Sequence, residues 1–271
     1  MMDKKCVVCK SLMIIFFKKN NYIILRCSGC GLGLTSFLKE QKGAYHRDET
    51  YLQEEKLFRN IFAKRVDILM KLVNPKSVLE VGCSTGLMLQ LFKEKECYAY
   101  GVEISKKSAD KSKDRGIDLY IGDFLNFKTQ QKFDLIVFNH TLEHISDPNK
   151  FISKAKSFLK EGGFIYIDLP NFGSLSSVFF KNNWQLLLPA EHIWHFTENS
   201  LVLLLQKHGF KMSFIEKASG IWDYKNPFLG LWISLTSFKK RFFTEVITAL
   251  PSWVITKFQL GSDLMVIAKK T

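Results

Sequence analysis

Apolar and amphipathic segments alternate along the chain from residue 74 to its end. The short apolar runs have the composition of β-strands, and the segments between them carry apolar residues at helical spacing. Predicted strands are 77–82, 97–103, 118–121, 133–139, 163–169, 211–216 and 263–269, and predicted helices are 85–95, 105–115, 148–161 and 197–208. The run FDLIVF at 133–138 is nearly all apolar, as a strand buried on both faces should be. The alternation predicts an α/β fold with helices on both faces of a mostly parallel sheet.

A longer amphipathic segment precedes this region. Apolar residues recur at helical spacing from Leu57 to Leu72. Asn74-Pro75 ends the predicted helix, because a proline disfavours helical backbone at the residue before it. We therefore expect a helical linker over 37–73 and one large domain over 74–271.

The segment 218–260, before the last predicted strand, is rich in aromatic and basic residues. It contains Trp222, Phe228, Trp232, Phe238, Phe242, Phe243 and Trp253 together with Lys239, Lys240, Arg241 and Lys257. This mixture suits contact with a membrane surface, but an apolar cap on the domain or a dimer interface also explains it. We expect a lid or docking surface, and the oligomeric state stays open.

The first 36 residues contain two closely spaced cysteine pairs. Cys6 and Cys9 form one CxxC, and after 17 residues Cys27 and Cys30 form another. This spacing is typical of a structural zinc site, in which each pair directs two thiolates at one ion. The residues between the pairs predict two short strands around a polar KKNN turn. We expect a zinc ribbon over residues 1–36; a redox-active CxxC pair or unrelated free thiols are the alternatives.

The charge of the chain allows an acidic partner without requiring one. Of the 271 residues, 39 are Lys or Arg and 26 are Asp or Glu, a net charge of +13. RNA, anionic lipid or a phosphorylated substrate would fit this balance, and so would a well-solvated surface rich in lysine. Neither a signal-peptide pattern nor a run of about 18 apolar residues is visible. We expect a cytoplasmic protein, with peripheral contact to the inner membrane surface as the alternative.

The sequence VLEVGCSTG at residues 78–86 predicts a strand, a tight turn and a helix start. A dinucleotide-binding turn that began at Gly82 would require glycine at positions 84 and 87, where Ser84 and Leu87 stand. The turn instead resembles the first motif of class I S-adenosylmethionine-dependent methyltransferases. Glu80, Gly82 and Gly86 match that motif, and Ser84 replaces its middle glycine.

The resemblance continues in order down the chain. AYGVEIS ends a second strand at Glu103, whose carboxylate can accept hydrogen bonds from both ribose hydroxyls. IGDF resembles the acidic turn that meets adenine, and FNHTLEHISDP resembles the fourth strand and its following loop. The implied residues around S-adenosylmethionine are Glu80, Gly82, Ser84, Gly86, Glu103, Ile104, Asp123, Phe124 and Asn139. The implied fold is a Rossmann-like, seven-stranded methyltransferase sheet flanked by helices, preceded by the small zinc ribbon.

Methyl transfer needs little further chemistry from the protein. A sulfonium methyl group is already activated, so the protein mainly aligns the reacting atoms and excludes water. A hydroxyl or acidic-carbon acceptor also needs a base to remove its proton. Candidates at the strand ends and in the loop EHIWHF are His140, Glu143, His144, Asp168, His192 and His195. We favour His140 or His192.

A zinc ribbon before this methyltransferase pattern resembles bacterial enzymes that act on modified sugars and surface polysaccharides. The resemblance implies a small-molecule acceptor such as a nucleotide-sugar, a polysaccharide precursor or a glycolipid. One alternative is a ribosomal or transfer RNA methyltransferase, which the net positive charge would suit. Another is a non-catalytic interaction protein with a degenerate cofactor fold, which the serine at position 84 would suit.

Overall fold

A computed structural model describes residues 4–19, 21–37, 55–218 and 257–271. Residues 38–54 of the predicted linker and 219–256 of the insertion, the predicted lid or docking surface, lie outside these ranges. The strands are β1 (Met13–Lys19), β2 (Tyr22–Cys27), β3 (Gly33–Phe37), β4 (Ser77–Val81), β5 (Tyr98–Glu103), β6 (Asp118–Ile121), β7 (Phe133–Asn139), β8 (Leu159–Pro170), β9 (Trp194–His195), β10 (Phe210–Ala218) and β11 (Asp263–Lys270). The α-helices are α1 (Glu55–Leu72), α2 (Leu87–Lys93), α3 (Lys106–Asp114), α4 (Pro148–Phe158), α5 (Leu175–Phe180) and α6 (Glu198–Lys207).

The larger sheet has seven strands in the order β10-β11-β8-β7-β4-β5-β6. Strands β4 to β8 run parallel to one another, and β11 pairs antiparallel with both β8 and β10. The predicted α/β fold with a Rossmann-like sheet of seven strands is confirmed. The all-apolar run at 133–138 lies in β7, a central strand between β4 and β8, as its composition predicted.

Both faces of the central strands are buried. In β7, Leu135 and Val137 pack in a cluster with residues of α1 and α2, whereas Ile136 and Phe138 pack in a cluster with residues of α4 and α6. Successive side chains of a strand point to opposite faces, so a continuous apolar run is needed where helices cover both. This double burial explains why hydrophobic pattern alone located the central strands.

The strand after α4 starts earlier than predicted. The predicted helix 148–161 ends at Phe158, and β8 begins at Leu159 rather than 163. Gly162, in the left-handed region with φ of 70°, lies where the pairing of β8 with β7 shifts register. Gly162 and the following Gly163 therefore form an irregularity inside β8.

A second, four-stranded sheet has the order β1-β2-β3-β9. The two strands predicted around the KKNN turn are β1 and β2, whereas β3 and the two-residue β9 were not predicted. Gly33 and Leu34 of β3 pair antiparallel with His195 and Trp194 of β9. The amino-terminal sheet thus takes its last strand from the loop before α6. Within the described ranges, no helix is both long and apolar enough to cross a bilayer.

The contact of β3 with β9 leaves no room for a side chain at Gly33. A Cβ atom there would lie 2.8 Å from His195 Cβ and 2.9 Å from a ring carbon of Phe172. We expect Gly33→Ala to lower the free energy of unfolding by about 1–3 kcal/mol, the usual cost of overpacking. Chemical denaturation monitored by circular dichroism measures this change.

Gly173→Ala is the matched control, because the nearest side-chain atoms to its Cβ would be Asn171 Oδ1 at 3.3 Å and Thr197 Cβ at 3.6 Å, farther away than those at Gly33. Its effect on the free energy of unfolding should be the smaller of the two. Equal stability of Gly33→Ala and the unaltered chain would show that β3 and β9 are not packed as described.

Candidate active site

The turn between β4 and α2 is built from left-handed residues. Gly82, Ser84 and Gly86 have φ angles of 75°, 47° and 72°. A Cβ on Gly82 would lie 2.7 Å from Thr141 Oγ1, so glycine is required there by space as well as by conformation. Ser84 replaces the middle glycine of the motif yet adopts the backbone conformation that glycine favours.

Glu103, at the end of β5, is hydrogen-bonded to this turn. Its side chain is buried, Oε2 accepts a hydrogen bond from the Ser84 amide at 2.8 Å, and Oε1 accepts one from the Ser105 amide at 2.7 Å. A carboxylate oxygen has two lone-pair sites, so each retains one for a further donor. The adjacent Ile104 is 64% exposed and presents an apolar side chain to solvent beside the carboxylate.

Two buried side chains on the adjacent strands β4 and β7 each have an oxygen without a hydrogen-bond partner among the described residues. These oxygens are Glu80 Oε2 on β4 and Asn139 Oδ1 at the end of the neighbouring strand β7. Burial and the negative charge of Glu103 raise the pKa of Glu80 well above its ordinary value. Native proteins rarely leave buried polar atoms unpaired, so these two atoms mark a place where a ligand is expected.

Asp123 and Phe124 occupy the turn after β6. Asp123 Oδ1 accepts a hydrogen bond from the Leu125 amide at 2.8 Å and caps the short 3₁₀-helix Phe124–Asn126. The Phe124 ring is buried against Phe151 and Phe158, with centroid distances of 5.4 and 6.0 Å. Both residues therefore have structural contacts in addition to any contact with a cofactor.

His140 directly follows β7 and has a φ of 50°. Its Nδ1 lies 3.4 Å from Glu143 Oε1, and its side chain is 31% exposed. Burial lowers the pKa of His140, but the Glu143 carboxylate and Asp168 outweigh it, so the pKa is raised overall. Burial also opposes ionisation of Glu143, but the histidines around it lower its pKa to about 2. Glu143 is therefore a buried carboxylate that stays charged.

Two more histidines surround the same carboxylate. His144 Nε2 lies 3.9 Å from Glu143 Oε1, and the His144 ring centroid is 4.8 Å from that of His192. The structure thus brings together four of the six predicted base candidates: His140, Glu143, His144 and His192.

The other two base candidates have different surroundings. Asp168 forms a buried ion pair with Arg65 at 2.6 Å and accepts a hydrogen bond from Tyr166 at 3.1 Å. His195 Nε2 lies 2.9 Å from Thr35 Oγ1 of β3. Burial, then the nearby His192, lowers the pKa of His195 to about 3, so this ring is neutral. A neutral ring that is hydrogen-bonded to the ribbon suits a structural role.

The four cysteines predicted as metal ligands converge at one point. All four sulfur atoms lie within 4.8 Å of one another, with Cys6 Sγ 3.6 Å from Cys30 Sγ and Cys9 Sγ 3.3 Å from Cys27 Sγ. A tetrahedral zinc–thiolate site has bonds of about 2.3 Å, which place its sulfurs about 3.8 Å apart. Contact with Cys30 lowers the pKa of the Cys6 thiol to about 5, whereas contact with Cys6 raises the pKa of the Cys30 thiol. The donor set and spacing fit one zinc ion.

The family model for the methyltransferase domain matches residues 53–213, more than half of the chain. The chain belongs to this family. The finding and the seven-stranded sheet confirm the prediction of an S-adenosylmethionine-dependent methyltransferase.

An uncharacterized methyltransferase from Geobacillus kaustophilus is similar to this methyltransferase, with 29% identity over 61% of this chain and 84% of the relative. Among solved structures, a possible histamine N-methyltransferase from Thermotoga maritima has a TM-score of 0.57 and 18% identity, covering 82% of this chain and 94% of its own. A plantazolicin methyltransferase bound to S-adenosylhomocysteine has a TM-score of 0.56 and 17% identity, and the match covers 82% of this chain and 89% of that structure's chain. At these identities the two structures show a shared fold.

Sequence reasoning missed three residues of this methyltransferase that shape the site. Arg65 lies on α1, far along the chain from its partner Asp168, and Thr35 reaches His195 across 160 positions. Thr141 fills the space above Gly82 and donates a hydrogen bond to the Val81 carbonyl at 2.9 Å. Only for Thr141 was a signal present in the sequence, since it lies inside the recognised loop after β7.

Proposed function

We propose that this methyltransferase transfers a methyl group from S-adenosylmethionine, bound at the β4–α2 turn, to a small molecule. The observation that carries the binding site is the pair of unpartnered buried atoms, Glu80 Oε2 and Asn139 Oδ1, beside a turn closed by Glu103. When bound, S-adenosylmethionine supplies a methyl group activated by the positive charge of its sulfonium. A cationic ligand suits this place, because Glu80 and Glu103 are both buried carboxyl groups.

In our proposal, different residues of the chain bind different parts of S-adenosylmethionine. Glu103 uses its remaining lone pairs for the ribose hydroxyls, and Gly82, Ser84 and Gly86 keep the turn free of bulky side chains. Ile104, Asp123 and Phe124 contact the adenosine, and Asn139 turns its amide to the methionine part. In support, Glu103 and Asn139 lie at the carboxyl ends of parallel strands, where ligands of open α/β sheets bind.

Glu103→Gln tests the ribose assignment while it preserves the size of the side chain. Losing a charge-assisted hydrogen-bond acceptor should cost about 2–3 kcal/mol. We expect S-adenosylmethionine to bind roughly 30- to 150-fold more weakly, measured by calorimetry. The control is Glu94→Gln, which removes only an exposed ion pair with Arg59. Unchanged affinity in a folded Glu103→Gln protein would refute the assignment.

We propose His140 as the base that takes the acceptor's proton. Among the candidates it directly follows a central strand, is partly exposed, and has the Glu143 carboxylate behind its ring. His192, the other favoured candidate, is buried, so contact with an acceptor is less direct. His140 follows Asn139 in the chain, so it lies at the same strand end as the proposed methionine site.

Labelling with methyl-labelled S-adenosylmethionine tests both acceptor and base. We expect the unaltered protein to label the small-molecule fraction of a cell extract, where nucleotide-sugars, polysaccharide precursors and glycolipids are the leading candidates. His140→Gln should lower labelling by about 10²- to 10⁴-fold, the usual contribution of a general base. His208→Gln, at the carboxyl end of α6 beside Asn149, should retain it.

Label in RNA instead would overturn the small-molecule acceptor in favour of an RNA methyltransferase. Full labelling by His140→Gln would overturn the base. Absence of both S-adenosylmethionine binding and labelling would favour the non-catalytic alternative.

We further propose that Cys6, Cys9, Cys27 and Cys30 hold one structural zinc ion. A small sheet such as β1–β3 buries little core of its own, and a metal commonly supplies the missing stability. Cys27→Ala should lose one zinc ion per chain in elemental analysis of the purified protein. Cys97→Ala, a buried thiol bonded to the Pro75 carbonyl, should keep it. Zinc content unchanged in Cys27→Ala would contradict the site.

A further inference from the structure

The Glu143 carboxylate is buried without satisfied hydrogen bonds. Its side chain is 2% exposed, and neither oxygen has a hydrogen-bond partner among the described residues. The nearest histidine nitrogens, at 3.4 Å in His140 and 3.9 Å in His144, are close enough for electrostatic attraction but not for well-formed bonds. A buried carboxylate is normally paired, hydrogen-bonded or bound to a metal.

We propose that Glu143, His144 and His192 form a second metal site that binds a divalent transition-metal ion such as Zn²⁺. One ligand atom from each residue lies within 4.8 Å of the others. Zinc bonds to nitrogen and oxygen of about 2.0–2.1 Å place tetrahedral ligands about 3.3 Å apart. Small side-chain rotations therefore suffice to close the three residues around one ion.

The tautomer of His144 is the one that a metal ligand needs. Its Nδ1 lies 2.9 Å from the Glu191 carbonyl oxygen, which can only accept a hydrogen bond. Nδ1 therefore carries a proton, so in the neutral ring Nε2, which faces Glu143, has the lone pair that a metal ion would bind. Metal-binding histidines usually have their second nitrogen fixed by a carbonyl or carboxylate in this way.

The main chain holds the two ligand-bearing segments together. The amides of Ile193 and Trp194, next to His192, both donate to the Glu143 carbonyl, at 2.9 and 3.0 Å. The His192 carbonyl in turn accepts a hydrogen bond from Thr35 Oγ1 at 2.8 Å. The three side chains are therefore brought together by fixed backbone, which lowers the entropy cost of assembling a metal site.

The donor set indicates the class of ion. Two imidazoles and one carboxylate suit Zn²⁺ and other first-row divalent ions, whereas the four thiolates of the ribbon form a separate, softer site. His144 is 37% exposed, so one side of the site is open for a further ligand. Three protein ligands with an open position are typical of catalytic rather than structural zinc.

A use for the ion follows only if the proposed function holds. An oxygen of the acceptor bound at the open position would be polarised by the ion, which lowers the pKa of a hydroxyl next to His140. Binding of the ion itself depends only on Glu143, His144 and His192.

Zinc titration of the full-length, metal-stripped chain tests the proposal. We expect two Zn²⁺ ions per chain by calorimetry and elemental analysis, one of which is lost in Cys27→Ala. Removing a partner of a metal ligand typically costs 10- to 100-fold in affinity, so removing a ligand should cost about 100-fold or more. His144→Gln and Glu143→Gln should each weaken the second ion by that factor and keep the first. The matched control, His208→Gln, should bind both ions as the unaltered chain does.

Two results would overturn the second site. One is a single zinc ion per chain that disappears in Cys27→Ala; the other is a second ion that His144→Gln retains at full affinity. His144 is partly exposed, so its variant decides the question even if Glu143→Gln does not fold, as circular dichroism would reveal. Calorimetry with S-adenosylmethionine on the same samples reports the methyl-donor site separately, so failure of one proposal is distinguishable from failure of the other.

Discussion

The carbonyl of Glu143 is the point at which the parts of this molecule are joined. Two successive amides, of Ile193 and Trp194, donate to it, and the indole of Trp194 donates to the Ile145 carbonyl at 3.0 Å. These bonds fix the loop before α6 against the loop after β7. The same loop then supplies β9, the edge on which β3 and the ribbon pair. Without this junction, the loop that carries His192, together with the amino-terminal sheet paired with it, would lose these bonds to the loop after β7.

The region around the strand ends is assembled at an electrostatic cost. Glu80, Glu143, Asp168 and Asp263 are all buried carboxyl groups. Arg65 pairs with Asp168, whereas burial, together with Asp168, raises the pKa of Asp263 to about 6. Binding and catalytic sites commonly retain such groups, because charges unfavourable to the empty protein become favourable once a ligand is bound. The methyl-donor proposal accounts for the burial of Glu80, and the metal proposal accounts for the burial of Glu143.

The fold was largely predictable from sequence, because its strongest constraint is local. Parallel strands buried on both faces must be apolar throughout, so the composition of β7 was sufficient to predict it as a central strand. The glycine turn was predictable for a similar reason, since Gly82 needs a positive φ and an empty Cβ position. Spacing likewise indicated that Cys6, Cys9, Cys27 and Cys30 converge. The start of β8 was predicted four residues too late, because Gly162 and Gly163 interrupt its pattern with an irregularity inside the strand.

Tertiary structure alone decided which distant residues meet. The histidines of NHTLEH and EHIWH looked like separate base candidates, and only folding placed His144 and His192 around one carboxylate. Strand β9 has two residues, too few for any periodic pattern, so its pairing with β3 left no trace in the sequence. In the sequence, Arg65 is one of several charged residues on an amphipathic helix. Only the packing of α1 against the sheet brings it to Asp168. The sequence determined the local elements, because burial and backbone conformation act on each residue separately. The tertiary structure determined which charged residues meet, because electrostatic partners need no fixed separation along the chain.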